Sequence, residues 1–277
     1  MSPLSRRVEE AAHGALRNRH DPSKIGPADF FEQSASVRSK FASLINVTDP
    51  DRIAIIASTS YGIATVAKNI RFTSDNNIVL LAEQFPSNVY SWRRIQLETG
   101  AQIRTAEVAE NRLQANAESI TDEVCRLIDE DTAVASLPVV HWATGMKLDL
   151  HRIRRRCDEC QCLLVIDGTQ SVGALPFDVC EIRPDAVICA GYKWLFGPYG
   201  SGLAYLGPHF DEGVPIEENW ITREGSEHFG GLVQYTDSYQ PAAIRFDVGQ
   251  RSDFVNIAML DAGLDHLIEW GVENVQA

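Results

Sequence analysis

The sequence predicts a large α/β domain built on a mostly parallel sheet. Short apolar runs alternate with amphipathic helical patterns over most of the 277 residues, and such alternation is typical of βαβ units. Hydrophobic residues make up 44% of the chain and charged residues 23%, which favours a folded globular protein over a disordered one. The length fits one large domain, or such a domain with an appendage.

The two ends of the chain are predicted to be helical. An amphipathic stretch at Val8–Leu16 and a helix-like stretch at Ala28–Leu44 make residues 1–45 an N-terminal helical segment. Residues 251–277 contain a long helix, Asp253–Trp270, which Gly271 is expected to end. Residues 46–250 between them form the predicted main domain.

The main domain contains the strands and the helices that connect them. A further run, Ser201–Leu206, is compatible with an antiparallel strand. The strand candidates are Arg52–Ala57, Ile78–Leu81, Gln102–Thr105, Thr132–Val140, Leu163–Ile166 and Ala186–Cys189. The connecting helices are predicted at Ser60–Ile70, Ser87–Leu97, Ile120–Ile128 and Leu150–Cys157.

Charge and composition exclude several classes of function. With 25 Lys and Arg against 38 Asp and Glu, the net charge is −13, which disfavours nonspecific binding to nucleic acid or anionic lipid. No apolar run approaches the roughly 20 residues of a membrane helix. Met1–Arg7 lacks the apolar core of a secretory signal. We therefore expect a soluble, cytoplasmic protein without nucleic-acid or membrane partners.

The six cysteines allow two interpretations. Cys157, Cys160 and Cys162 have a spacing that suggests a metal site, but no second pair of Cys or His lies at zinc-finger spacing. The stretch joins a basic helix to an apolar strand. Reduced thiols in the core are the favoured interpretation.

The stretch Leu163–Gly173 is the most informative part of the chain. An apolar strand ends at Asp167, and Gly168 opens a turn. Ligands of open α/β sheets gather at the carboxyl ends of the strands, so an acid at this position suits chemistry. A turn or helix-capping role for Asp167 is the alternative.

A second stretch, Ala190–Gly202, follows the strand Ala186–Cys189 and contains Lys193 among aromatic residues and glycines. Crowded apolar surroundings favour the neutral amine of a lysine, the form that condenses with an aldehyde. An ordinary solvated lysine is the alternative.

A third stretch, Ala54–Ile63, leads from a strand through Ser58, Thr59 and Ser60 into a helix. Hydroxyl groups and free N–H groups at a helix N-terminus suit a phosphate. An ordinary Ser or Thr cap is the alternative.

Together the three stretches match the groups that pyridoxal 5′-phosphate (PLP) requires: a phosphate site, an acid for the ring nitrogen and a lysine for the aldehyde. The motifs Asp167–Gly173 and Gly191–Pro198 resemble those of the class V, fold-type-I PLP enzymes, and the resemblance extends over essentially the whole chain. This family includes cysteine desulfurases, small-molecule aminotransferases, isopenicillin-N-epimerase-like proteins and kynureninases. The motifs are most similar to the last two groups.

The resemblance implies a fold and a set of roles. The fold would be the large domain of these enzymes, a mostly parallel seven-stranded sheet between helices, followed by a small C-terminal domain that this chain largely lacks. Lys193 would form the internal aldimine and move protons at Cα. Asp167 would pair with the ring nitrogen and Gln170 with the ring hydroxyl, while Thr59 and Ser60 would hold the phosphate.

Other positions vary within the family. Tyr192 would add its hydroxyl to the phosphate, and Phe85 would stack on the cofactor ring, with core packing as its alternative. Trp142 replaces an Asn that often contacts the ring hydroxyl, and His141 and Trp142 either line the pocket or pack the core. Gln250 occupies a position where a phosphate-binding Thr is frequent, so its role stays open.

The resemblance also bears on partners and reaction. The loop Phe246–Arg251 is similar to one that crosses to a partner subunit, which predicts a homodimer. The expected substrate is an amino acid or amine, handled as by class V aminotransferases. The alternatives are a C–S or C–C lyase and a truncated, non-catalytic PLP-binding homologue. The ends resemble those of a fragment or short form, so Leu264 and Ile268 are expected to be partly exposed.

Overall fold

The structure is a computed structural model that describes residues 1–107 and 117–276. Helices α1 and α2 precede the sheet, α3 to α7 lie within the alternating region, and α8 and α9 follow it. The helices are α1 (Arg6–Asn18), α2 (Glu32–Leu44), α3 (Thr59–Lys68), α4 (Tyr90–Thr99), α5 (Ala117–Leu127), α6 (Leu150–Cys160), α7 (Val179–Ile182), α8 (Phe254–Trp270) and α9 (Val272–Gln276).

Seven strands of the described ranges form one sheet, in the order β1-β7-β6-β5-β4-β2-β3. Only β7 runs antiparallel to its neighbours, while the other strand pairs are parallel. The strands are β1 (Ile53–Ile56), β2 (Asn77–Leu81), β3 (Gln102–Ala106), β4 (Thr132–Pro138), β5 (Leu163–Asp167), β6 (Ala186–Ala190) and β7 (Gly202–Leu206). The predicted α/β class and the mostly parallel seven-stranded sheet are therefore confirmed.

Core packing follows from the alternation of side chains along each strand. On β1, Ile53 and Ile55 belong to one buried cluster, whereas Ala54 and Ile56 belong to another. The two clusters cover opposite faces of the sheet, and helices close both. Because both faces are buried, the strands read as continuous apolar runs in the sequence.

Some predicted boundaries differ from those of the structure. The stretch Ala28–Leu44 divides into a short 3₁₀ helix, Pro27–Phe30, and α2. At the other end of the chain, Gly271 ends α8 with a positive φ of 74° and donates its N–H to Leu267. Helix α9 follows at once, although the sequence analysis placed no helix there.

The expectation of partial exposure on α8 holds for Ile268 and is wrong for Leu264. Leu264 is fully buried in the larger core cluster, whereas Ile268 is 47% exposed. Leu260, Leu264 and Leu267 repeat at helical spacing on the face that meets the core. Ile268 follows Leu267 directly and is therefore turned about 100° away from it.

All six cysteines are free thiols. Cys157, Cys160, Cys162 and Cys189 are buried, as core thiols are expected to be, whereas Cys180 is exposed. Within residues 1–107 and 117–276, no three His, Cys, Asp or Glu residues are grouped as a metal would require. In the same ranges no helix is long and apolar enough to cross a membrane.

Candidate active site

A cavity of about 180 Å³ lies where the carboxyl ends of the parallel strands meet. The turns after β1, β5 and β6 supply most of its walls, and the segment after β2 closes one side. Its lining residues are Ala57, Ser58, Thr59, Ser60, Phe85, Ser87, Asp167, Thr169, Gln170, Tyr192, Lys193, Tyr199, Gly200 and Ser201. All seven residues that the sequence analysis selected for the site therefore line one cavity.

The N-terminus of α3 forms one wall of the cavity. Ser58 caps the helix, and its hydroxyl accepts a hydrogen bond of 3.1 Å from the Tyr61 N–H. The Ser58 and Ser60 hydroxyls lie 3.1 Å apart. The first N–H groups of a helix have no partner within it, and the helix dipole adds partial positive charge there. This wall therefore suits an anion.

Asp167 ends β5 and is buried. The Thr169 N–H donates to its carboxylate at 3.0 Å, so Asp167 has the turn role that the sequence analysis gave as the alternative. Burial raises the pKa of Asp167, while Thr169 and the positive charge of Lys193 act against this shift. A carboxylate held in this way favours a cationic partner in the cavity.

Lys193 follows β6 and lies half-buried in the wall of the cavity. Burial lowers the pKa of its ammonium group, and the negative charge of Asp167 opposes this shift. The Nζ atom lies 5.1 Å from the centre of the Phe85 ring and 6.0 Å from that of Tyr192. The position thus favours a neutral amine that faces the cavity.

Two aromatic pairs flank Lys193. Phe85 and Trp142 meet edge to face, with ring centres 5.7 Å apart. The ring centres of Tyr192 and Tyr199 lie 4.7 Å apart, and the two ring planes are tilted by 43°. Burial raises the pKa of the Tyr192 hydroxyl, which keeps it protonated and able to donate.

The turn at Gly173 and the N-terminal segment both contact the Lys193 loop. Gly173 has a positive φ of 96°, and a Cβ atom placed there would lie 2.4 Å from the carbonyl oxygen of Trp194. Only glycine allows the two backbones to come so close. From the N-terminal segment, the Ser2 hydroxyl donates to the Lys193 carbonyl oxygen at 2.7 Å. Contacts to the backbone on both sides thus hold the lysine loop.

Thr169, Tyr199 and Ser201 line the cavity but were not singled out in the sequence. Thr169 joins the turns, because its hydroxyl accepts from the Ala190 N–H at 3.1 Å and lies 3.2 Å from the Thr59 hydroxyl. All three lie within the stretches Leu163–Gly173 and Ala190–Gly202 that the sequence analysis selected, so position in these stretches was the available signal. Gln250 is exposed and does not line the cavity.

Arg38, Asp247 and Arg251 form a buried charge cluster next to β1, which the sequence analysis did not predict. Asp247 is fully buried, and its carboxylate accepts hydrogen bonds from the two terminal guanidinium nitrogens of Arg38. It also accepts from Arg251 at 2.5 Å and from the Ile55 N–H at 2.7 Å. Asp247 therefore joins α2 and the loop Phe246–Arg251 to β1, the strand that leads to Ser58.

The family model described as aminotransferase class-V matches residues 13–277. The chain belongs to this family. The resemblance drawn from the motifs is therefore confirmed, and with it the expectation of a PLP-dependent family.

Curated members of the class-V family match over only part of their length. A cysteine desulfurase of Cronobacter sakazakii is 26% identical over 254 residues, which are 90% of this chain and 59% of that protein. Isopenicillin N epimerase of Streptomyces clavuligerus is 26% identical over 187 residues, 66% of this chain and 46% of the epimerase. The chain thus spans about three fifths of the first relative and less than half of the second.

Solved structures share the fold. The cystine C–S lyase C-DES, in complex with its reaction product cysteine persulfide, superposes with a TM-score of 0.86 at 23% identity. The match covers 98% of this chain and 71% of that one. The cysteine desulfurase CsdA of Escherichia coli gives a TM-score of 0.81 at 19% identity, over 98% and 67% of the two chains. At these identities the likeness establishes the fold alone.

Proposed function

We propose that this chain binds PLP through Lys193 and acts at the Cα atom of an amino acid or amine, as class V aminotransferases do. The observation that carries the proposal is that Lys193, the buried Asp167 and the N-terminus of α3 all line one cavity. Each of these groups matches one part of the cofactor: an aldehyde, a ring nitrogen and a phosphate.

The residues present fit the cofactor by their own chemistry. The N-terminus of α3, with the Ser58, Thr59 and Ser60 hydroxyls, is suited to the phosphate. Asp167 is buried without a cation in hydrogen-bond contact among the described residues, so a protonated ring nitrogen would satisfy its charge. When bound, PLP supplies an aldehyde that reacts with amines and a ring that withdraws electrons from Cα.

The residues of the chain then have distinct tasks. Lys193 would hold the cofactor through Nζ and would hold or move the Cα proton at that atom. The carboxylate of Asp167 would hold the ring nitrogen, and the amide of Gln170 would donate to the ring hydroxyl. Tyr192 would donate to the phosphate, and the Phe85 ring would exclude water from the cofactor.

Borohydride reduction of the PLP-loaded chain, followed by peptide mapping, tests this proposal. We expect the cofactor on Lys193 and on no other lysine in stoichiometric amount. Lys193→Ala should lose the label while keeping its melting transition. A label at another lysine, or none after incubation with PLP, would contradict the proposal. Turnover of added amino acids is then assayed with the wild-type chain.

A carbon–sulfur or carbon–carbon lyase of the cysteine desulfurase or kynureninase type is the second candidate. The observation that favours it is the similarity to a cysteine desulfurase, 26% identical over 90% of this chain. Release of pyruvate and ammonia together with a persulfide from cystine, or with sulfide from cysteine, would support the lyase. Amino transfer to an added α-keto acid would support the aminotransferase.

The third possibility, a PLP-binding homologue without turnover, is separated by the same assays. Stable labelling of Lys193 with no product from any amino acid or amine would indicate it. We retain a homodimer and a cytoplasmic location as parts of the proposal. The division at residues 45 and 250 is likewise proposed, with α2 and α8 packing against each other outside the sheet.

A further inference from the structure

Trp142 is an aromatic residue of the site region that does not line the cavity itself. It belongs to the tight turn after β4, in which the His141 N–H donates to the Met146 carbonyl. Its indole N–H donates to the Glu83 carbonyl oxygen at 2.7 Å. Its ring meets the Phe85 ring at 84°, with ring centres 5.7 Å apart.

A second contact joins the same two segments. The His141 side chain is buried, and its Nε2 atom lies 3.2 Å from the Ala82 carbonyl oxygen. The turn after β4 therefore contacts the segment after β2 at Ala82, Glu83 and Phe85. The contacts at Ala82 and Glu83 restrict the backbone of this segment, and the contact at Phe85 restricts its side chain.

The segment after β2 has a conformation that needs such support. Glu83 has a φ of +52°, in the left-handed region that residues with a side chain rarely adopt. Such a conformation persists only when surrounding contacts hold it. Two residues further on, the Phe85 ring lies 5.1 Å from Lys193 Nζ. The direction of that ring therefore depends on how firmly Glu83 is held.

We propose that Trp142 is a positioning residue that holds the Phe85 ring against the lysine side of the cavity. The indole N–H fixes the Glu83 carbonyl, and the indole edge prevents the Phe85 ring from turning outward. The inference rests on the proposed function, in which Phe85 covers one face of PLP. It assigns to Trp142 an indirect effect on cofactor binding, with no contact to the cofactor.

A double-mutant cycle tests the inference through PLP binding. The variants are Trp142→Ala, Phe85→Leu and the double variant, with Trp142→Phe as a second probe that keeps a ring but lacks the N–H donor. We measure the PLP dissociation constant by absorbance titration, the induced circular dichroism of bound PLP, and melting of the cofactor-free chain as a check on folding. Trp220→Phe is the control, because Trp220 packs against Phe30, Phe31 and Phe229 instead.

If Trp142 acts through Phe85, each single change weakens PLP binding by roughly tenfold and the double variant is no weaker than Phe85→Leu. The circular dichroism changes alike in both single variants, and Trp142→Phe falls between Trp142→Ala and the wild type. Multiplicative losses in the double variant, or unchanged binding and dichroism in Trp142→Ala, would overturn the inference and leave the proposed function intact. Failure of wild-type Lys193 to bind PLP would overturn the proposed function instead.

Discussion

At the scale of single residues, burial acts in opposite directions on the two charged groups of the cavity. It raises the pKa of Asp167 and lowers that of Lys193, because both charged forms lose solvation. Each charge also stabilises the other across the cavity. In the proposed function, these effects would favour a cationic ring nitrogen beside Asp167 and an aldehyde at Lys193.

The first prediction concerns the pH dependence of labelling at Lys193. Because its pKa is lower than the ordinary 10.5, the neutral amine forms at lower pH, and PLP incorporation should rise with pH through a midpoint below 10.5. Asp167→Asn removes the negative charge that stabilises the Lys193 ammonium group, so the midpoint should shift to still lower pH. Mass spectrometry after borohydride reduction gives the rates, with the exposed Lys24 as internal reference. An upward shift in the variant would refute this electrostatic account.

The second prediction separates stability from cofactor binding. Since the folded pKa of Asp167 is raised, its ionisation lowers the stability of the cofactor-free chain as pH rises above the ordinary value of 3.8. Asp167→Asn removes that loss and keeps the acceptor for Thr169, so at pH 7 the cofactor-free variant should be more stable than the wild-type chain. Its PLP dissociation constant should rise about tenfold or more. Thermal melting and absorbance titration measure the two effects.

At the scale of elements, the close packing of two turns holds the lysine loop. Gly173→Ala would place a Cβ atom 2.4 Å from the Trp194 carbonyl oxygen and would strain a left-handed backbone. We expect a loss of about 3 kcal/mol and weaker labelling of Lys193. Gly225→Ala is the matched control, since Gly225 also has a positive φ but no atom within 4 Å. It should lose only about 1 kcal/mol, as measured by urea unfolding.

The Asp247 cluster ties elements together through buried charges. Asp247→Asn leaves two buried guanidinium groups, those of Arg38 and Arg251, without a negative partner, so we expect a loss of about 3–5 kcal/mol. Asp211→Asn is the control, because it breaks the more exposed pair with Arg52 and should lose less than about 1 kcal/mol. Equal losses in the two variants would mean that burial does not govern the cluster.

At the scale of the whole molecule, one segment exposes an unusual amount of apolar surface just before the predicted crossing loop. Within residues 214–235 the exposed side chains include Val214 (48% exposed), Val233 (77% exposed) and Tyr235 (93% exposed). Surface of this kind marks interaction sites, and in the proposed homodimer it would face the partner subunit.

Light scattering at micromolar concentration tests this assembly. The wild-type chain with PLP should have the mass of a dimer. A double change, Val233→Glu with Tyr235→Glu, should shift it toward monomer because it places charges on the apolar surface. Leu97→Glu, at an equally exposed apolar residue on α4, should leave the mass unchanged. A monomeric wild-type chain would contradict the proposed dimer.

Sequence patterns alone predict the class of fold, the extent of most elements and seven of the residues that line the cavity. Local signals suffice for these features, since continuous apolar runs mark strands buried on both faces and the motif around Lys193 is a short contiguous stretch. Hydroxyl residues before a helix likewise mark its N-terminus, as Ser58 does.

Four features become visible only in the folded chain. They are the order of the strands, the close approach of Gly173 to the Trp194 carbonyl, the pairing of Asp247 with Arg38 and the contact of Trp142 with Glu83. These features join residues far apart in the chain: Arg38 and Asp247 are separated by 209 positions, and Trp142 and Glu83 by 59. No local propensity encodes such partners. They form only when the layers pack, because buried charges and hydrogen-bond donors without a partner are energetically costly.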